Sequence, residues 1–558
     1  MAQVMTPARA LAALERRKDR FGSGAAAAKL ALLRRLDRAR LSTAAQVTRL
    51  HELLCWMRAY PDDDSVLRQV RQMLGRFAQR ADLRTFRDEL AFSGIAGTVL
   101  WFPFFYPTAR WIAARWPRAL RLDRADSVAQ ESIEKLLPAL VTPLEAQALR
   151  EAHLPGFRAL DRLRGKHGDA VFLIERVAAM PGTEFAREAI YDLVNPSCEL
   201  DPQPGTPSRT VAAYPKAPIA WQRAPLRRTR PELRAELPRA PRSIRAAPRR
   251  DAAELIDLAR KAMLTRQRDL DAFAHGNPRD VWFIDDGDGL AFALIGVLTR
   301  RRDVLPAIYG GLTLKNGVPV GYTQIDLGGR AAALSFNTFE TFRGGETAHV
   351  FARFLAAVLA TFGTRSFSIE PYQLGKGNDE GLDSGAWWFY FKMGFRPRAA
   401  AARKLVQTEL ARQRVDPAHR TSRDVLQRLA DHHLFFELDT ARRASQPSFV
   451  SIGLRVGAYL AGLGSDRAAA VSRARLIAGK RCGLRSLDGW SADERMAWER
   501  LCPLIALLPV ARWPAPARRA LIDLVRAKGA PSERDYVQRW AAHAQFSNAL
   551  MQLGRSAR

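Results

Sequence analysis

The stretch that most limits how this chain folds covers residues 330–397. An apolar strand pattern runs into Phe342-Arg343-Gly344-Gly345-Glu346-Thr347-Ala348, and a long apolar helical pattern follows at once. A second strand, a glycine-rich loop, a short aromatic helix and Gly394-Phe395-Arg396-Pro397 complete the stretch. The change of apolar period from 2 to 3.6 is what makes a strand hand over to a helix. A glycine loop at such a junction offers backbone N–H groups and the positive end of a helix dipole to an anion. The small residues Gly344, Gly345 and Ala348 allow the anion to approach the backbone closely.

Upstream of this loop the chain predicts a hairpin. Residues 307–314 and 318–325 are apolar strands joined around Lys315-Asn316-Gly317, and Asn-Gly supplies the positive φ angles of a tight turn. Asp285-Asp286-Gly287-Asp288-Gly289 has the look of a calcium loop but lacks its length and its distal glutamate, so it reads as a turn.

The flanks have helical periodicity. Over residues 1–195, Thr43 opens a stripe of Val47, Leu50, Leu54 and Met57, and Asp64 opens another of Leu67, Val70, Met73, Leu74 and Phe77. Residues 403–558 are helical again, with Ser491 and Glu494 as a capping box ahead of Met496, Trp498 and Leu501. Between 196 and 250 proline and arginine dominate, which prevents regular structure and predicts a linker or an ordered wrap across the surface. Residues 90–106 are uncharged and apolar but too short and too broken by Gly and Pro103 to span a bilayer. They read as a buried hairpin or partner-facing patch, or as a peripheral membrane contact over 90–116.

Charge bounds the partners. The 87 basic residues against 57 acidic ones give a net charge of +30, which suits a polyanion; arginine far outnumbers lysine, so base composition of the coding sequence explains much of the excess. Nucleic acid stays open as a partner without being favoured. Four scattered cysteines have neither disulfide nor zinc spacing, and the first residues lack an apolar signal segment; both point to the reducing cytoplasm. The adjacent His432-His433 cannot share one helical face, and no metal site is expected.

The order helix, hairpin, strand, glycine loop, helix, strand, aromatic helix over residues 251–402 resembles the GNAT superfamily of N-acetyltransferases. The loop signature of that family, Arg/Gln-x-x-Gly-x-Gly/Ala, is matched by Arg343 and Ala348, while Glu346 stands at the position normally held by glycine. Tyr390-Phe391-Lys392-Met393-Gly394-Phe395 matches the family's closing Tyr-x-x-x-Gly-Phe, and Pro319-Val320-Gly321-Tyr322 looks like its second and third strands. The resemblance implies an α+β fold: a GNAT-like mixed sheet with flanking helices, between all-α blocks at 1–195 and 403–558, with 196–250 as the linker.

It further implies acyl transfer from acetyl-CoA or another acyl-CoA to a small-molecule or peptide amine. Phe342, Arg343, Gly344, Gly345, Glu346, Thr347 and Ala348 would then cradle the pyrophosphate, and Asn378 would touch the pantetheine arm. Tyr390 would return a proton to the departing thiolate. Glu340 or Glu370 would take the proton of the amine, directly or through water. A carboxylate about 6 Å from a phosphate costs roughly 3 kcal/mol at an effective dielectric near 20, so Glu346 decides whether the cradle works. Two alternatives stand beside this reading. One takes its acyl group from aminoacyl-tRNA; the other is a degenerate GNAT-like scaffold without catalysis.

Overall fold

The computed structural model describes residues 5–439 and 446–555. The protein is mixed α and β, and it divides into two compact units. The first comprises residues up to 225, with 253–275 and 314–320; the second comprises 226–252, 276–313 and the rest from 321.

The first unit is mainly helical, but it is not all-α. Three short strands, β1 (Leu100–Phe102), β2 (Leu120–Leu122) and β3 (Cys198–Leu200), form an antiparallel sheet in the order β1-β3-β2. Around it Tyr106, Ile112, Ile133, Leu160, Ile174 and Tyr191 make one core. The predicted helix after Thr43 is Ala44–Ala59, and Thr43 caps it. The next, Asp64–Gly75, is capped one residue earlier than expected, by the carboxylate of Asp63. Within residues 90–106, Trp101 donates its indole N–H to Asp123 at 2.8 Å. Among the described residues no helix is long and apolar enough to cross a membrane.

The hairpin turn predicted at Asn316-Gly317 is present, with φ of 49° and 78°. Its residues belong to the first unit, where Asn316 Nδ2 donates to the Ala59 carbonyl at 2.8 Å and Asn316 Oδ1 accepts from the Ala220 N–H at 2.7 Å.

Apart from residues 314–320, which group with the first unit, a nine-stranded sheet forms the base of the second. Its strands are β4 (Ser243–Ala246), β5 (Gly276–Gly287), β6 (Leu290–Val297), β7 (Ala307–Lys315), β8 (Val318–Gly328), β9 (Ala331–Thr338), β10 (Ser366–Ile369), β11 (Arg396–Pro397) and β12 (Leu434–Glu437). In space they run β11-β12-β10-β9-β8-β7-β6-β5-β4. Strands β9 and β10 are parallel, joined by the helix Thr347–Phe362. That helix buries Val350, Phe351, Phe354, Leu355 and Val358 in a core shared with Phe292, Leu294 and Phe336.

The C-terminal block departs from the all-α expectation, and the Pro/Arg-rich stretch follows its ordered alternative rather than a bare linker, though it also holds the regular structure that its composition spoke against. The C-terminal stretch is not all-α, because β12 comes from it and lies between β10 and β11. Its helices also share a single apolar core with the sheet, through Trp498, Leu504, Tyr536 and Trp540. The Pro/Arg-rich stretch is ordered: it contributes β3, a short helix Leu233–Glu236 and the edge strand β4. The β5–β6 turn is Asp288-Gly289, both at positive φ, while Asp285, Asp286 and Gly287 close strand β5.

Candidate functional site

The glycine loop lies where β9 ends. After Thr338 the chain makes one 3₁₀ turn, Glu340–Phe342, with Phe342 buried under it. Gly344 then takes φ +80°, a conformation that a side chain disfavours. The helix opens at Thr347, and its first N–H groups lack acceptors within the helix by geometry. Outside the carboxyl end of a parallel strand, this is where ligands of open α/β sheets bind.

Glu346 does not cap its own helix with its side chain. It is 5 % exposed, and its Oε1 accepts the backbone N–H of Arg227 at 3.0 Å. The segment around Arg227, part of the Pro/Arg-rich stretch, therefore lies against the loop. Arg228 Nε donates to the Gly344 carbonyl at 3.2 Å. Arg227 Nη2 reaches Asp288 at 2.8 Å, and its Nη1 meets His349 Nε2 at 3.2 Å. A guanidinium can only donate, so Nε2 of His349 is the acceptor and the ring is neutral. Burial, and then Arg227, lower the His349 pKa in agreement.

Arg343 turns along the loop. Its Nε donates to the Thr338 carbonyl at 3.2 Å and its Nη2 pairs with Glu380 at 2.6 Å. Glu380 belongs to the long loop after β10, so that pair brings the loop to the glycine turn. Asn378 caps the short helix Asp379–Asp383 by accepting from Gly381 N–H at 3.2 Å, while its Nδ2 donates to the Tyr372 carbonyl at 3.0 Å.

Tyr390 is buried within the aromatic cluster of Phe351, Phe389 and Phe395. Its hydroxyl donates to the Phe336 carbonyl at 3.5 Å, and burial pushes its pKa well above the usual phenol range. Phe336 lies beyond Leu334–Ile369, the last β9–β10 pair, where the two parallel strands part. Tyr390 is thus directed at the backbone of the strand that leads into the loop.

The two candidate bases lie on different elements. Glu340 is exposed in the 3₁₀ turn immediately before the loop. Glu370 is exposed at the end of β10, where its charge acts on Asp326 and His433. Burial raises Asp326 to about 6, and Glu370 adds to the shift.

The first unit has features of its own. A cleft of about 900 Å³ is lined by residues 202–208 and 211–216 and by Glu254, Asp257 and Lys261. Its charges are matched, Lys216 to Glu254 at 3.0 Å and Lys261 to Asp257 at 3.2 Å. Elsewhere in this unit the buried His51 places Nε2 3.6 Å from Cys55 Sγ and 2.9 Å from Thr210 Oγ1. Among the described residues one trio could hold a metal ion: Glu188, Asp271 and His275, whose ligand atoms lie within 4.8 Å of one another. His275 and Glu188 are also hydrogen-bond partners at 3.2 Å, which accounts for their proximity without an ion.

Sequence reasoning missed Arg227, Arg228, His349, Asp288 and Glu380. The proline and arginine content marked the strap as unusual, but nothing in it signals docking 119 residues further along. No protein-family model, curated protein or solved structure matches the chain.

Proposed function

We propose that the second unit is a GNAT-like N-acyltransferase that binds an acyl-CoA by its pyrophosphate and passes the acyl group to an amine. The observation that carries this reading is the glycine loop, set at the N-terminus of the helix that links parallel β9 and β10. Backbone amides there suit a diphosphate without an intervening side chain. Glu346, the residue out of pattern, has its carboxylate bound to the Arg227 amide rather than held clear for a phosphate to meet.

In this mechanism the amine attacks the thioester carbonyl directly, with both substrates held in one complex. Nitrogen–carbon bond formation expels the CoA thiolate; the amine proton leaves to a carboxylate, and the thiolate is reprotonated. Glu370, exposed at the end of β10, suits the first proton transfer because a carboxylate open to solvent can take the proton directly or through water. Tyr390 suits the second, since a phenol kept neutral by burial can donate. Four buried, free cysteines accord with a cytoplasmic setting.

Titration calorimetry of the full chain with acetyl-CoA tests the reading, followed by release of free thiol from acetyl-CoA with and without a panel of amines. Saturable heat and amine-dependent thiol release are expected. An absence of heat with every acyl-CoA tried defeats it. The net charge of +30 favours one second reading, with aminoacyl-tRNA as donor. Binding that requires the tRNA and weakens steeply with salt would select it.

A further inference from the structure

We propose that Arg227 and Arg228 form the cationic wall of the phosphate site, and that Glu346 is the positioning residue that seats them there. The inference rests on the acyl-CoA reading above. It gives the Pro/Arg-rich strap a role in recognising a diphosphate, and it turns the anomalous glutamate from an obstacle into an anchor.

Three bonds place the strap on the opening of the helix: Arg227 N–H to Glu346, Arg228 Nε to the Gly344 carbonyl, and Arg227 Nη1 to His349. The strap is fixed on its other side too. Leu233 and Leu237 are buried in the core of the unit, and the Glu236 and Arg239 carbonyls accept from Arg353 at 3.0 and 2.8 Å. Two guanidinium groups are therefore held at the turn where the first helical N–H groups open, with Arg343 on the loop itself.

Glu346 is suited to seating the strap because it is 5 % exposed and spends an oxygen on a main-chain N–H. An alanine here would leave that amide without its acceptor. The acidic side chains that pair with Arg227 and Arg343 lie in water instead. The Asp288 side chain is 70 % exposed and that of Glu380 is 42 % exposed. Ion pairs in water contribute little, so both partners can be exchanged for a ligand. A diphosphate has more charge and oxygens spaced to match a guanidinium fork, which makes it the better partner. Chemically, the site would take a diphosphate, either free or as the nucleotide end of a CoA thioester.

The test is calorimetric titration of the full chain with acetyl-CoA and, separately, with inorganic pyrophosphate, at two salt concentrations. The variants are Arg227→Gln with Arg228→Gln, Glu346→Ala and Glu346→Gln. Losing the two guanidinium groups should weaken both ligands about tenfold or more and flatten the salt dependence. Glu346→Ala should weaken them similarly by unseating the strap. Glu346→Gln keeps an acceptor oxygen and should restore affinity to the wild-type value or better. The substituted arginine side chains are exposed, so thermal melting should be unchanged in the double variant.

Wild-type affinity in the double variant overturns the inference and leaves the acyl-CoA reading intact. Tighter binding by Glu346→Ala also overturns it, since the carboxylate would then only repel. If the unaltered protein binds neither ligand, the reading and the inference fall together. Pyrophosphate binding without acetyl-CoA binding would keep the cationic wall and remove the acyl donor.

Discussion

Arg353 offers the sharpest test of how the strap and the helix are joined. It lies in the second turn of Thr347–Phe362 and is buried, unlike most arginines in the chain. Its Nε and Nη2 meet the two oxygens of Asp286 at 2.8 and 2.7 Å. Nη1 and Nη2 also donate to the Glu236 and Arg239 carbonyls. Arg353→Met keeps much of the apolar stem but removes every donor. It strands the Asp286 carboxylate, whose side chain is 6 % exposed, together with two carbonyls. Removing one partner of a buried pair costs about 3–5 kcal/mol, which is a rise of roughly 10²–10³-fold or more in local opening. Hydrogen exchange read by mass spectrometry on peptides covering 233–246 and 347–362 measures that opening directly. Adding Asp286→Asn should recover about 1–2 kcal/mol, because the orphaned charge is then gone. A rise below tenfold in Arg353→Met would refute the claim that this pair holds the strap to the helix.

Three further outcomes follow from the geometry. Gly317 has φ +78°, and a Cβ there would lie 2.5 Å from the Tyr214 carbonyl oxygen, so Gly317→Ala should destabilise the first unit by about 1–3 kcal/mol in urea unfolding. An unchanged midpoint would contradict the turn geometry. Burial raises the Asp326 carboxyl from 3.8 to about 6, so between those values the folded protein holds a proton that the unfolded chain has released. Stability from this group is full below about pH 4 and is lost as pH rises through about 6. Asp326→Asn should therefore be the more stable protein at pH 7, by about 1–3 kcal/mol, and equal stability there would refute the shift. Tyr390→Phe should lower the rate of thiol release from acetyl-CoA about tenfold or more, as expected for losing a proton donor, while acetyl-CoA affinity stays near normal. An unchanged rate removes Tyr390 from the mechanism.

Local chemistry was legible in the sequence, and long-range chemistry was not. Asn316-Gly317 announced its turn because two positive φ angles admit few residues. Ser491 and Glu494 form the capping box that their spacing promised. The strand, glycine loop and helix over 331–362 read correctly for the same reason, since each signal lies within one turn of the structure it sets. The strap failed that condition: Pro and Arg mark an irregular segment, but its seat is fixed by Glu346 and Arg353, more than a hundred residues away. The burial of Arg353 was equally hidden, because its partner Asp286 lies 67 residues upstream at the end of β5. Strand β12 was missed because Leu434–Glu437 has only three apolar residues in a row among helices, too few for period to separate strand from helix.

The position of β12 also governs how the chain can be made. The ribosome releases β10 and then β11, but the space between them is filled only once residues 434–437 have emerged. Until then β10 presents an open edge able to pair with another chain, and the two-residue β11 has no neighbour to hold it. Residues 251–402 released alone would keep that edge permanently. Their fate would be self-association, with the helices that follow acting in the intact protein as the carriers of the closing strand.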